Sequence, residues 1–175
     1  MGRIAFYTFG ILRQPYGHQD VQGFFDRVEA VFEQADQAGG FIARNDGTWG
    51  TYVLPRFFVE RKHASAQATL SVWRDIESIC AFAYRGAHGE AVKKRSDWAI
   101  KPAWPTYVAW WVADDHYPTH EEACQRHEYL HDHGPSPCAF NFKQPFDREG
   151  QPVELDRQLL QERMTSNQTH QTEDS

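Results

Sequence analysis

Residues 4–9 (IAFYTF) and 107–112 (YVAWWV) are apolar at both parities, which doubles the demand on any sheet built from them. Side chains alternate along a strand, so Tyr107, Ala109 and Trp111 point to one face and Val108, Trp110 and Val112 to the other. A sheet with one wet face alternates apolar and polar residues instead. Both faces of this sheet must be covered. Helices can cover one of them. The other calls for a second copy stacked sheet on sheet, C2 dimers being the commonest oligomers, or for the chain's own later helix and tail.

The rest of the chain supplies the remaining elements. Residues 13–18 (RQPYGH) break the first strand, and Phe24, Phe25, Val28, Val31, Phe32 and Ala35 then recur at helical spacing. Asp20 is the expected N-cap of that helix, and Gly39-Gly40 its stop. A second strand is expected over 41–44 and a third over 68–73 (ATLSVW). Between them the sequence is irregular, with a turn at Asp46-Gly47 and Pro55 interrupting the apolar run 52–59. From Asp75 onward, Ile76, Ile79, Cys80, Ala83, Tyr84 and Ala87 mark a helix face, which Gly86 and Gly89 bend or break before a second piece over 90–99. Pro102 and Pro105 frame a loop into the fourth strand, 107–112. Thr119 and Glu122 form a capping box for a helix that ends at Gly134-Pro135, and 138–142 (CAFNF) predicts a short fifth strand.

The order βαββαβ, with an extra helix and a short strand behind it, is the ferredoxin-like α+β arrangement. Residues 1–146 make one domain. Residues 147–175 are a polar extension, with a surface helix expected over 153–164 and a disordered tail from Thr165.

The totals exclude several classes of function. A net charge of −6 argues against a nucleic-acid partner, which needs a basic footprint. Cys80, Cys124 and Cys138 are odd in number and contain no CxxC, so reduced thiols in a cytoplasmic protein are expected. No secretory leader and no membrane-length apolar run is read in the sequence. Phosphate-binding Gly loops, GxSxG and HExxH are missing. Aromatic residues reach 14%, enough either to thicken a core or to line a small-molecule pocket.

Several ordered motifs are similar to those of the DUF 3291 family, a domain of unknown function. They are Ser71-Val72-Trp73, Glu77, Phe82-Ala83-Tyr84-Arg85, His88, Arg95-Ser96-Asp97-Trp98, Ala109-Trp110-Trp111-Val112 and His116-Tyr117-Pro118-Thr119. The series continues through Glu122-Ala123, Arg126, Leu130 and Gly134-Pro135 to Ala139-Phe140, covering roughly residues 4–142. The resemblance implies the dimeric α/β-barrel superfamily, in which two ferredoxin-like sheets pair face to face. That superfamily includes cofactor-free monooxygenases, haem proteins and small cyclases. The chain departs from the family pattern at Thr8 and Thr69, where Asn is usual, and at Ala43, where Trp is usual.

Within this frame His88 leads the candidates, one helical turn after Tyr84 and beside a Gly-flanked break. A neutral imidazole suits acid–base work, and in the haem-binding relatives a His on a comparable helix holds the iron. The plainer alternative is a histidine that bonds the backbone at the break. Tyr84 and Tyr7 are candidate proton donors. Trp73, Trp98, Trp110 and Trp111 would form an aromatic belt, with Thr8, Arg95 and His116 as further ligand contacts; Arg95 could instead pair with Asp97 or Glu90. His120, Cys124, His127 and His131 lie within about a 60° stripe of the last domain helix, a weak metal motif that abuts its apolar face.

The resulting expectation is a homodimeric small-molecule enzyme with an aromatic pocket. Its chemistry would be cofactor-independent and monooxygenase-like, or that of an isomerase or cyclase, on an aromatic or polyketide-like compound. A haem protein with His88 as axial ligand is one alternative. A non-catalytic dimeric binding module is the other.

Overall fold

The computed structural model describes residues 2–58 and 65–173, with side chains placed as far as residue 167. Val59, the end of the apolar run 52–59, and the last two residues of the chain lie outside the described residues. Four strands form one antiparallel sheet: β1 (Arg3–Ile11), β2 (Phe41–Arg44), β3 (Ala66–Trp73) and β4 (Tyr107–Val112), in the order β2-β3-β1-β4. That order, with helical connections after β1 and β3, is the ferredoxin-like α+β fold. The central strand pairs on both sides, so Ile4 lies opposite Trp73 and Trp111, and Thr8 opposite Thr69 and Tyr107.

β1 and β3 both run two residues past their local β signal. Gly10 pairs with Gln67 and Ile11 with Ala66, and this ladder overrides the weak strand preference of Gly. The fifth strand expected over 138–142 is not a strand. Phe140 makes a single bridge, exchanging two backbone hydrogen bonds of 2.9 Å with Ala109. Residues on either side turn back on themselves through bridges at Ser136–Ala139 and Asn141–Gln144.

Helix α1 (Gln19–Gln37) follows β1 and is capped by His18, whose Nδ1 accepts from the Asp20 N–H, so the expected cap residue is the donor's owner. After β3 the long helical pattern breaks into three pieces: α2 (Ile76–Ala83), α3 (Gly86–Lys93) and α4 (Arg95–Trp98). Gly86 takes the left-handed conformation at the first break, φ 54°. Thr119 caps α5 (His120–His133) by accepting the Glu122 N–H, and Gly134 closes it at φ 78°. The last helix, α6 (Arg157–Glu173), continues past Thr165 and lies along α2. It is tied there by Arg163 to Asp75 (2.9 Å) and by Asn167 Oδ1, which accepts the Gly39 N–H (2.9 Å).

The two faces of the sheet bury different clusters. Ile4, Phe6, Trp73, Ala109 and Phe140 pack with Ala35 of α1 and Ile76, Ile79 and Phe82 of α2. On the other side Ala5, Tyr7, Phe9, Leu70, Val108 and Trp110 pack with Ala123, Cys124 and Leu130 of α5 and with Phe57. Complete burial of a side chain such as Phe9 contributes about 1.5–3 kcal/mol. The face for which the strand pattern called on a second sheet is thus covered by α5 and the 49–58 segment of the same chain. Tyr7 and Val108 are 0% exposed there without any partner. Of the two ways to cover that face, the chain's own later helix is the one seen, so the strand pattern by itself does not call for a second copy.

Candidate functional site

Even-numbered residues of β1 face α1 to α4. Ile4 and Phe6 are buried there, but at the far end of the strand Thr8 and Gly10 stay partly open. Their neighbour Thr69 is exposed although β3 is an interior strand, because β2 stops at Arg44, opposite Ser71. The Thr8 and Thr69 hydroxyls hydrogen-bond at 2.6 Å. A Cβ placed on Gly10 would meet, among the described residues, only Arg95 Nη2, at 3.9 Å. This end of the sheet face is thus partly open beside the start of α4. Arg95 is half-buried beside it and makes neither of the expected pairs, with Asp97 or Glu90. Burial pushes its guanidinium below the usual range, and no carboxylate offsets that.

His88 is fixed by the break between α2 and α3. Gln34 of α1, itself buried, donates from Nε2 to Arg85 O (3.0 Å) and Phe82 O (3.3 Å) and accepts the His88 N–H at Oε1 (3.0 Å). The His88 ring sits 4.5 Å from Phe82, which lies 5.1 Å from Trp73. Its Nδ1 is 2.8 Å from Ala83 O. A carbonyl only accepts, so Nδ1 carries the proton and Nε2 is left with a bare lone pair. Desolvation lowers the imidazole pKa, opposed in part by the Ala83 bond, and keeps the ring neutral at neutral pH. The backbone bond at the break, the plainer of the two readings of His88, is present. It does not use Nε2.

A bare Nε2 with its partner nitrogen held by a carbonyl suits an axial haem ligand. The surroundings suit it less. The ring rests on Phe82, which is buried against Trp73, and the other tryptophans are elsewhere. Trp73 and Trp111 lie on the helix-covered face, Trp110 lies under α5, and Trp98 packs with Leu12 and Val21 at the start of α1. Trp73, Trp98, Trp110 and Trp111 thus form no belt around His88. Strand alternation separates Trp110 from Trp111, and Trp98 is carried off by α4.

The tyrosines also divide. Tyr84 is 55% exposed, and its hydroxyl bonds that of Tyr107, which accepts the Phe142 N–H at 3.3 Å. Tyr7 is on the opposite side of the sheet from His88, so the three residues read as catalytic do not meet. His116 lies apart from both, with Nε2 2.7 Å from Glu122 Oε2. The sequence shows Glu122 as half of a capping box. Its carboxylate instead accepts from His116 and from the Trp110 indole at 2.9 Å.

Of the His/Cys stripe of α5, His120, Cys124 and His127 face inward under the 49–58 segment, and His131 is exposed. The Tyr7 hydroxyl donates to Cys124 Sγ (3.9 Å), and the thiol donates to Val53 O (3.7 Å). Tyr52 packs on His120 at 4.7 Å, and Phe57 on His127 and His131 at 5.3 and 5.0 Å. His127 Nε2–H donates to Pro105 O, and burial holds its pKa down to about 4. Burial raises the Cys124 thiol to about 11 and the Tyr7 phenol above its usual range. Tyr7, Cys124 and His127 stay in their neutral forms, as core residues do. Among the described residues, no three or more His, Cys, Asp or Glu are arranged to hold a metal ion.

Comparison with known proteins places the chain as follows. A family profile described as "Domain of unknown function (DUF3291)" matches residues 3–156. No curated protein matches. Among solved structures the chain is similar to the "NE2512 protein of unknown function from Nitrosomonas europaea", at 11% identity. That alignment covers 68% of this chain and 97% of the other, with a TM-score of 0.45.

Proposed function

The chain belongs to the DUF3291 family, and from its geometry we propose a small-molecule enzyme whose ligand binds in a cleft at the partly open sheet end beside Thr8, Gly10 and Arg95. In this reading His88 moves a proton for that ligand. The observation that carries it is the His88 imidazole, whose Nδ1–H is fixed on Ala83 O while Nε2 is bare and the ring is neutral. A neutral imidazole held in one tautomer is a general base at working pH, and the Ala83 carbonyl supports the imidazolium once Nε2 has taken a proton. An acidic O–H or C–H of an aromatic or polyketide-like compound suits such a base. Its anion is electron-rich enough to react with oxygen or to rearrange, which is the cofactor-independent monooxygenase or isomerase/cyclase class.

The test is oxygen consumption and proton exchange into solvent across a panel of quinols and polyphenols, with wild type and His88→Gln. Turnover that falls about 10²–10⁴-fold in the variant supports the base. Turnover unchanged in the variant, or none across the panel, contradicts it. The bare Nε2 also favours haem ligation as a second reading. A Soret band on adding haemin, lost in His88→Ala, would establish it at the expense of the first.

Two further parts of the proposal concern the setting. Cys80 and Cys124 are buried free thiols, which supports a reducing, cytoplasmic location; none of the described helices is long and apolar enough to cross a membrane. With the second sheet face covered by α5, a homodimer would have to use another surface, and light scattering reads the answer directly.

A further inference from the structure

We propose that the ligand of this cleft carries an anionic group, a carboxylate or a phosphate, seated between the Arg95 guanidinium and the Thr8–Thr69 hydroxyl pair. This rests on the reading of the cleft as a ligand site and adds the chemistry of what it holds.

Three observations converge on it. First, Arg95 is half-buried, and among the described residues its side chain has no hydrogen bond and no ion pair. A guanidinium drawn partly out of water without an anion is a costly arrangement, and bidentate recognition of carboxylate or phosphate is what its planar fork does best. Second, the strand residue beneath it is glycine. Among the described residues only Arg95 Nη2 comes within 4 Å of a would-be Cβ, at 3.9 Å, so Gly10 lets the guanidinium rest over the strand where a larger residue would place a side chain. Gly10 is not among the positive-φ glycines, so the backbone does not demand glycine here; its effect is the space. Third, Thr8 stands two residues from Gly10 on the same face and bonds Thr69 through the hydroxyls. In such a pair one O–H donates to the other oxygen, which leaves the second O–H free to donate outward. The cleft thus offers guanidinium N–H donors at one end and a spare hydroxyl donor at the other. A guanidinium that only donates, with a hydroxyl donor beside it, favours an anion over a cation or a hydrocarbon.

The experiment uses benzoate as probe, benzamide as its neutral counterpart, and inorganic phosphate as a non-aromatic anion, with calorimetry on the full chain. The expected result is that benzoate binds at least about tenfold more tightly than benzamide. Arg95→Gln should abolish benzoate binding, Arg95→Lys should weaken it in part, and Gly10→Val should block it. Gly10→Val keeps the argument testable if Arg95→Gln fails to fold, since a β-branched residue suits an extended strand position. Phosphate binding that is lost in the same variants would also support the anion site. Equal binding of benzoate and benzamide would overturn the anion and leave the cleft standing. Benzoate binding that survives both Arg95→Gln and Gly10→Val would overturn the placement. If neither anion binds wild type, the proposal falls, and the activity panel with His88→Gln then decides separately whether the cleft is a site at all.

Discussion

Trp110 on β4 and Glu122 on α5 meet at 2.9 Å, the indole N–H donating to a carboxylate whose other oxygen holds His116. The contact joins the sheet to the helix that covers its second face. Replacing Glu122 with Ala leaves a buried indole donor without an acceptor, which costs about 2 kcal/mol. Glu122→Gln keeps an amide oxygen for Trp110 and should lose about half of that or less. Urea unfolding of both variants reads the difference; equal losses would mean the indole bond contributes nothing.

His127 makes the fold acid-sensitive. Its pKa is about 4 in the folded chain against an ordinary value of 6.5. A depressed folded value means that the unfolded chain binds the proton first as pH falls. Stability is therefore full above about pH 6.5 and is lost progressively toward pH 4, by roughly 3 kcal/mol from this residue. His88 and His120, lowered in the same direction by burial, steepen the loss. Denaturation midpoints of His127→Leu should depend less on pH across that window. An unchanged slope would contradict the assignment.

Gly40 has φ 89°, and a Cβ there would stand 2.1 Å from Ser78 Oγ. Gly40→Ala combines a left-handed backbone with a direct clash against α2. A loss of about 2–4 kcal/mol is expected in thermal or urea unfolding. Pairing it with Ser78→Gly should relieve the clash and recover part of the loss, while no recovery would assign the cost to the backbone alone.

Much of the fold was legible because it is written locally. β2 and β4 fall where β propensity places them, and Thr119 and Gly134 bound α5 as their types dictate. Trp110 and Trp111 separate as strand alternation requires. What the sequence could not show depended on long-range contact. His120, Cys124 and His127 look like a metal stripe in isolation; they are core because Tyr52, Phe57 and the Pro105 carbonyl arrive from distant segments to cover or bond them. The same helix supplies the cover for which a second sheet had been expected. The candidate site was legible in part. His88, Arg95 and Thr8 are visible as types, whereas the approach of Arg95 over Gly10 and the hold of Gln34 on the α2–α3 break carry no local signal. The tryptophans misled for the opposite reason. Their abundance suggested one pocket, and the topology distributes them over three clusters.

The most direct measurement of the central claim is backbone and side-chain amide mapping by NMR during a benzoate titration. Saturable shifts are expected at Thr8, Gly10, Thr69, His88 and Arg95, with Tyr7, His120, Cys124 and His127 unmoved across the sheet. Shifts centred on α5 and the 49–58 segment, or none that saturate, would contradict it.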